Sequence, residues 1–149
     1  MLKLRLAVTL FALFFTTSAF AQLKPYQDYD ISDNVWSITT VQVNANMIDN
    51  YLEGIEKTWV ASQKVAKDLK HIEDYYVYTS DLPNSGSFNV LLVTRYKSGA
   101  DLVPSKARYE AFMKEWGAER EAQNEKMVKD YPAMRNITGE YQMHRVTFK

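Results

Sequence analysis

The side chains that most often hold metals or attack substrates are scarce in this sequence. It contains two histidines, His71 and His144, and no cysteine. Neither histidine lies in an HxH or HExxH motif, and no clustered-carboxylate loop is present, so no metal site is predicted. Ser85-Gly86-Ser87 has no GxSxG elbow around it and is interpreted as a turn. The five glycines are scattered and form no phosphate-binding loop.

The kind of site that remains possible is an aromatic pocket with one titratable group. Trp36, Tyr76, Tyr78 and His144 fall on predicted strands and would line such a pocket, with His144 as the acid or base. A cofactor-independent monooxygenase or isomerase needs little more to position an enolisable substrate. The alternative, which we favour, is that all four pack or hydrogen-bond as ordinary sheet residues, with the tyrosine hydroxyls reaching water at the rim.

The first 21 residues have the pattern of a secretory signal peptide. Lys3 and Arg5 precede an apolar run from Leu6 to Phe15, and the segment closes with the small-x-small triplet AFA at Ala21. The apolar run is shorter than the ~20 residues that span a bilayer. We therefore expect cleavage after Ala21, a periplasmic or secreted protein, and no membrane attachment after cleavage.

The chain that would follow cleavage has nearly balanced charge. Without Lys3 and Arg5 it has 16 basic residues against 18 acidic ones, a formal charge of −2. Nucleic-acid binding requires a clustered basic excess, so no nucleic-acid partner is predicted. Residues 22–34 are polar and lack a clear period, which predicts a linker or a loosely held arm. Residues 35–149 suit one domain.

Hydrophobic periodicity predicts the order strand, helix, strand, strand, helix, strand. The first strand covers Val35 to Asn44, and three- and four-residue spacing marks a helix after it. The strands from Ile72 to Thr79 and from Phe88 to Lys97 form a hairpin. A second helical region begins near Pro104, and residues 137–149 form the last strand. This is the α+β, ferredoxin-like arrangement, with a four-stranded antiparallel sheet and both helices on one face.

Aromatic residues on both faces of the hairpin predict that the helix-free face is also covered. Tyr76 and Tyr78 point to one side, while Tyr75 and Val77 point to the other. Burial stabilises by ~25 cal/mol per Å² of apolar area, so an uncovered aromatic face favours association. The simplest cover is a second subunit in a twofold, face-to-face homodimer. In the alternative, the arm of residues 22–34 or the second helical region folds across this face in a monomer.

The chain also resembles the dimeric α/β-barrel superfamily of ferredoxin-like proteins, over about residues 35–148, nearly the whole of the chain that would follow cleavage. The segments that carry the likeness are YLEGIEKTW from Tyr51, DYYVYTS from Asp74, VLLVTRYKS from Val90 and MRNITGEYQMHRV from Met134. The resemblance implies a ferredoxin-like dimer. The superfamily includes cofactor-independent monooxygenases, haem-degrading and haem-peroxidising enzymes, small isomerases and stress-responsive proteins, so it does not select an activity.

Haem is the one cofactor that the resemblance suggests, and the sequence argues against a haem site. Haem-degrading relatives combine an asparagine, a helix tryptophan and an axial histidine on the second helix. Trp59 matches the tryptophan, and Asn34 or Asn44 matches the asparagine. No histidine lies between Ser105 and Arg135, however. Because the central ligand is absent, we predict no cofactor.

These observations together predict an exported, homodimeric domain that binds a small apolar or aromatic molecule without catalysis. Trp36, Tyr76, Tyr78 and His144 are the predicted ligand-binding residues, and His144 is the candidate catalytic residue if the protein is an enzyme. The first alternative is a cofactor-independent monooxygenase or isomerase that acts on a small aromatic or dicarbonyl substrate. The second is a structural or protein-interaction domain.

Overall fold

A computed structural model describes residues 22–82 and 86–149. The predicted signal peptide, residues 1–21, and part of the predicted hairpin turn, residues 83–85, lie outside the described residues. Among the described helices, none combines the length and the apolar character needed to cross a bilayer.

The described chain forms a main sheet, a small second sheet and a layer of helices. Its elements in chain order are β1 (Tyr29–Ile31), β2 (Val35–Val43), α1 (Ile48–Ile55), α2 (Ala61–Asp68), β3 (Asp74–Thr79), β4 (Val90–Tyr96), α3 (Lys106–Trp116), α4 (Ala118–Val128), α5 (Tyr131–Met134), β5 (Arg135–Met143) and β6 (Val146–Phe148). A π-helical turn, Glu56–Val60, joins α1 to α2, and a 3₁₀ turn, Gly99–Leu102, precedes α3.

The main sheet has the ferredoxin-like topology that the sequence predicts. Its strand order is β3-β4-β2-β5, and every neighbouring pair is antiparallel. The helices lie on one face of this sheet, so the predicted α+β class and the predicted side of the helices are confirmed. The predicted boundaries of the hairpin strands, at residues 72–79 and 88–97, fall within two residues of those of β3 and β4.

The hydrophobic core lies between the sheet and α1. Alternate positions of a strand face the same side, so β2 and β4 each send a row of aliphatic residues toward the helices. Tyr51 and Ile55 of α1, one helical turn apart, meet these rows. The buried cluster consists of Val41, Val43, Tyr51, Ile55, Val90, Leu92 and Tyr131.

The two ends of the described chain differ from the prediction of one final strand and a loose arm. Residues 137–149 do not form a continuous strand, because the chain turns at His144 between β5 and β6. In addition, β1 lies within the predicted arm and pairs antiparallel with β6, with Tyr29 opposite Phe148. The backbone N–H of Ser32 donates to the carbonyl oxygen of Arg145 over 2.9 Å, which fixes this corner.

Gly117 interrupts the second helical region. Its backbone has φ 82° and ψ 149°, a conformation essentially restricted to glycine, and it separates α3 from α4. Ser105 caps α3, since its hydroxyl accepts the backbone N–H of Arg108 at 3.3 Å. The pair α3–α4 packs against α2 and the π-helical turn, which opens a cleft between the two helical regions.

Candidate functional site

Three of the four predicted site residues lie together on the helix-free face of the main sheet. Strand register places Tyr76, Val93, Ile38 and Tyr141 opposite one another in a row across all four strands. The rows on either side contain Tyr78 and Trp36. We call this surface the open face; it comprises residues 36, 38 and 40 of β2, 74, 76 and 78 of β3, 91, 93 and 95 of β4, and 139, 141 and 143 of β5.

The open face is mainly apolar, and its outer strands are exposed. Tyr78 on β3 retains 53% of its surface in contact with solvent, and Tyr141 and Met143 on β5 retain 52% and 51%. The rings of Tyr76 and Tyr78 stack with their centroids 6.1 Å apart. Charged side chains occur at one end only, where Asp74 pairs with Lys67 at 2.8 Å. An apolar surface of this extent indicates an interface.

Tyr76 is not arranged to act as a base. Its hydroxyl donates to Oδ2 of Asp74 at 3.0 Å, and this bond to a carboxylate raises the pKa of Tyr76. The pKa of Asp74 is lowered in turn, chiefly by the hydrogen bond from the Lys67 ammonium. The phenol therefore stays protonated, and the carboxylate stays ionised, around neutral pH.

His144 does not join the other three predicted residues. It lies in the exposed turn after β5, and its Nδ1 is 2.8 Å from the carbonyl oxygen of Ser32. The depression that it lines is formed by the residue 26–33 arm and by residues 97–101, and Trp36, Tyr76 and Tyr78 do not contribute to it. The structure thus places His144 at the junction of the two sheets, where its hydrogen bond holds the arm.

A cleft on the opposite side of the sheet has the lining expected of a ligand site. It has a volume of about 450 Å³ and lies among the π-helical turn, α2, α3, α4 and α5. Its walls carry the aromatic side chains Trp59, Phe112, Trp116 and Tyr131. Phe112 and Trp116, four residues apart on α3, stack with centroids 5.8 Å apart. We call this space the helix-side cleft.

The π-helical turn and a glycine together position Tyr131 on the floor of the cleft. Thr58 is buried within the π turn and donates its hydroxyl proton to the carbonyl oxygen of Gly54 at 3.0 Å. That leaves the Thr58 oxygen free to accept from the Tyr131 hydroxyl, 2.5 Å away. A Cβ at Gly54 would lie 3.1 Å from the Tyr131 ring, so glycine at this position allows the ring to approach α1 closely. Burial raises the pKa of Tyr131, which keeps the phenol neutral.

Two opposite charges lie on the wall of the helix-side cleft without pairing with each other. The Glu121 carboxylate accepts the indole N–H of Trp116 at 2.8 Å. The Arg135 guanidinium lies 5.6 Å from the centre of the Tyr131 ring. Arg135 also acts on Tyr51. Burial raises the pKa of Tyr51, and the arginine charge and a side-chain hydrogen bond from Arg135 oppose this rise. Within residues 22–82 and 86–149, no carboxylate lies within 4.0 Å of Arg135.

The sequence analysis did not predict this cleft. Of the four aromatic residues that line it, only Trp59 was considered, and only as a match to a haem motif. An available signal was four aromatic residues on two helical regions, more than one core face requires. Over the part of the chain that the structure describes, no three histidine or carboxylate side chains come together as metal ligands.

Comparisons with known proteins support the fold and no more. No family model and no curated protein matches the chain. Among solved structures, it is similar to a nipsnap family protein of unknown function from Agrobacterium tumefaciens (14% identity, TM-score 0.52), with 82% of this chain and 96% of that chain covered. HapK from Hahella chejuensis aligns at 12% identity and TM-score 0.45 over 74% of this chain and 91% of that one. A dimeric ferredoxin-like protein of unknown function from Bacteroides fragilis aligns at 10% identity and TM-score 0.42 over 80% and 100%.

Proposed function

We propose that the protein is an exported, homodimeric domain that binds a small, largely apolar molecule in its helix-side cleft. The observation that carries the proposal is the cleft itself, about 450 Å³ in volume and lined by Trp59, Phe112, Trp116 and Tyr131. Small-molecule sites are typically concave spaces of ~300–1,000 Å³ with mostly apolar walls and a few polar groups, and this cleft fits that description.

The lining of the cleft favours binding over catalysis. Burial raises the pKa of Tyr131, so its phenol stays protonated near neutral pH, and Oε2 of Glu121 accepts the Trp116 indole N–H. His144, the predicted acid–base residue, lies on the surface and contacts the carbonyl oxygen of Ser32. The monooxygenase or isomerase alternative therefore lacks a supporting geometry, and we expect His144→Ala to leave ligand binding unchanged.

The open face supports the homodimer. Two copies that meet through this face across a twofold axis would bury Tyr78, Tyr141 and Met143, each of which is about half exposed in one subunit. In this arrangement Trp36 and Tyr76 contribute to the interface. A ligand between the two sheets would touch the same residues, so the predicted ligand-binding role of the open face remains a separate, testable prediction.

Native mass spectrometry of protein purified from its own periplasm tests binding and location together. We expect a dimer that retains a small molecule, loses it on Trp59→Ala and keeps it on Trp36→Ala, the matched change on the open face. The reverse pattern would move the site to the open face. A protein that carries no small molecule and binds none when offered a panel of aromatic compounds would contradict the proposed function.

Export is tested by N-terminal sequencing of the same material. We expect the mature chain to begin at Gln22, after removal of the segment that ends at Ala21. Mature protein that still begins at Met1 would show that the chain is not exported by this route.

A further inference from the structure

We propose that the ligand of the helix-side cleft is an organic monoanion with a flat, apolar body, and that its acidic group pairs with Arg135. This inference rests on the proposed function, because it names the chemical class that the same cleft selects. Three features point to it: an arginine without a counter-ion among the described residues, an aromatic wall, and a carboxylate that already accepts a hydrogen bond elsewhere in the cleft.

The positive charge of Arg135 has no neutralising carboxylate in the part of the chain that the structure describes. Its Nε is buried and has no hydrogen-bond partner among the described residues. Two other half-buried arginines have a carboxylate close by. Arg95, whose Nε also lacks a hydrogen bond, lies 3.2 Å from Glu73, and Arg108 lies 3.5 Å from Asp101. Within the described ranges, Arg135 has no such carboxylate. A partly buried cation without an anion is costly, and an incoming carboxylate or sulfonate would relieve that cost.

The shape of the guanidinium favours an anionic group with two or more oxygens. The guanidinium of Arg135 is a planar fork of N–H donors, and it matches two oxygens of a carboxylate or sulfonate at once. Its position beside the face of Tyr131, 5.6 Å from the ring centre, restricts its orientation. The acidic group of the ligand would therefore lie at the β5 end of the cleft, next to α5.

The walls of the helix-side cleft favour a ligand whose remaining part is flat, apolar and uncharged. The stacked rings of Phe112 and Trp116 offer a flat apolar wall, and Trp59 faces the same space. Glu121 lies on the wall of the same space, bound to the Trp116 indole N–H. A second negative group placed near this carboxylate would be repelled. The cleft thus selects one negative charge, held at Arg135, on a body without another.

The test uses two fluorescent probes that differ by one sulfonate group. N-phenyl-1-naphthylamine is neutral, and 8-anilino-1-naphthalenesulfonate carries the same rings with one negative charge. We expect the sulfonate to bind the dimer more tightly than the neutral probe. Arg135→Gln should weaken sulfonate binding by about 10- to 100-fold, the value of a charge-assisted hydrogen bond, and change binding of the neutral probe by less than about twofold.

Three further variants locate the effect. Arg95→Gln removes an arginine on the open face and should leave the binding of both probes unchanged, since Arg95 lies on the opposite face of the sheet from the cleft. Glu121→Gln removes the negative charge on the cleft wall and should strengthen sulfonate binding a few-fold. Phe112→Ala, which removes part of the wall, should weaken both probes.

The outcomes separate this inference from the proposed function. If both probes bind, respond to Phe112→Ala and ignore Arg135→Gln, the cleft is a ligand site and the anion assignment is wrong. If Arg95→Gln abolishes sulfonate binding and Arg135→Gln does not, the anion binds on the open face, and the inference is overturned. If neither probe binds the folded dimer, the inference and the proposed function fail together.

Discussion

Removing the Tyr141 ring tests whether the open face is the dimer interface. Tyr141 lies on the edge strand β5 and is 52% exposed in one subunit. A Cβ added to Gly139 would lie 2.6 Å from its hydroxyl oxygen, so the ring extends along the strand over the glycine. The ring therefore presents a flat surface to a partner sheet, and Tyr141→Ser removes that surface without changing the backbone.

The magnitude follows from the exposed area. A tyrosine side chain buries roughly 200 Å², so about half of it, or ~100 Å², is available at each copy of Tyr141. At ~25 cal/mol per Å² the two copies contribute about 5 kcal/mol to the dimer. That is an upper value, because part of it offsets the ordering of the interface, and it corresponds to three to four powers of ten in the dissociation constant.

Sedimentation velocity over a range of concentrations measures this change. We expect the unmodified protein to sediment as a dimer at micromolar concentration and Tyr141→Ser as a monomer with an unchanged circular dichroism spectrum. Tyr109→Ser is the matched control, since Tyr109 is also an exposed tyrosine but lies on α3 in the helical layer. A Tyr141→Ser protein as dimeric as the control, or an unmodified protein that is monomeric, would refute the assignment of the open face.

Three further predictions concern stability and are measured by urea unfolding. Gly117→Ala should lower the free energy of unfolding by about 2 kcal/mol, because the φ 82° backbone is strained for alanine, whereas Gly99→Ala, with open space around it, should have little effect; equal effects would contradict this. Tyr131→Phe should cost about 1 kcal/mol at neutral pH through the lost bond to Thr58, and no change would show that the bond contributes nothing. Burial raises the pKa values of Tyr51 and Tyr131 above 10.0, the ordinary pKa of tyrosine. Their contribution to stability is therefore complete below pH 10.0 and is lost as the pH rises through the folded-state pKa values. Tyr51→Phe should reduce this alkaline loss, and an unchanged pH profile would contradict the assignment.

The sequence predicted the sheet and the position of its helices because alternation and helical spacing are local properties. Trp36 and Ile38 alternate with Val35 and Val41 along the sequence, and the register places the two pairs on opposite faces of β2. The prediction that Tyr76 and Tyr78 lie on the same face of their strand is also confirmed, because it depends only on strand alternation.

The cleft and the chain ends depend on contacts that local periodicity does not encode. The π-helical turn around Thr58 arises where α1 meets Tyr131, 73 residues later in the chain. The pairing of β1 with β6 and the turn at His144 join segments more than 100 residues apart. The three residues of β1 that pair with β6 have no distinctive sequence pattern, so they were predicted as part of a polar arm. The turn at His144 has none either, so His144 was predicted to continue the last strand.

An irregularity in β5 explains how one strand serves both proposed surfaces. Val43 and Val41 of β2 face the helical layer and pair with Arg135 and Ile137, whereas Ile38, on the open face, pairs with Tyr141. All three β5 residues are odd-numbered, and in a regular strand they would share one face. The register shifts between Thr40 and Val41, where β5 has one extra residue, and a shift of one residue moves every later side chain to the other face. Because of this bulge, the arginine that we assign to the ligand and the tyrosine that we assign to the partner subunit lie on opposite sides of the sheet. Binding and assembly can therefore be altered separately by substitution, although a single strand carries both.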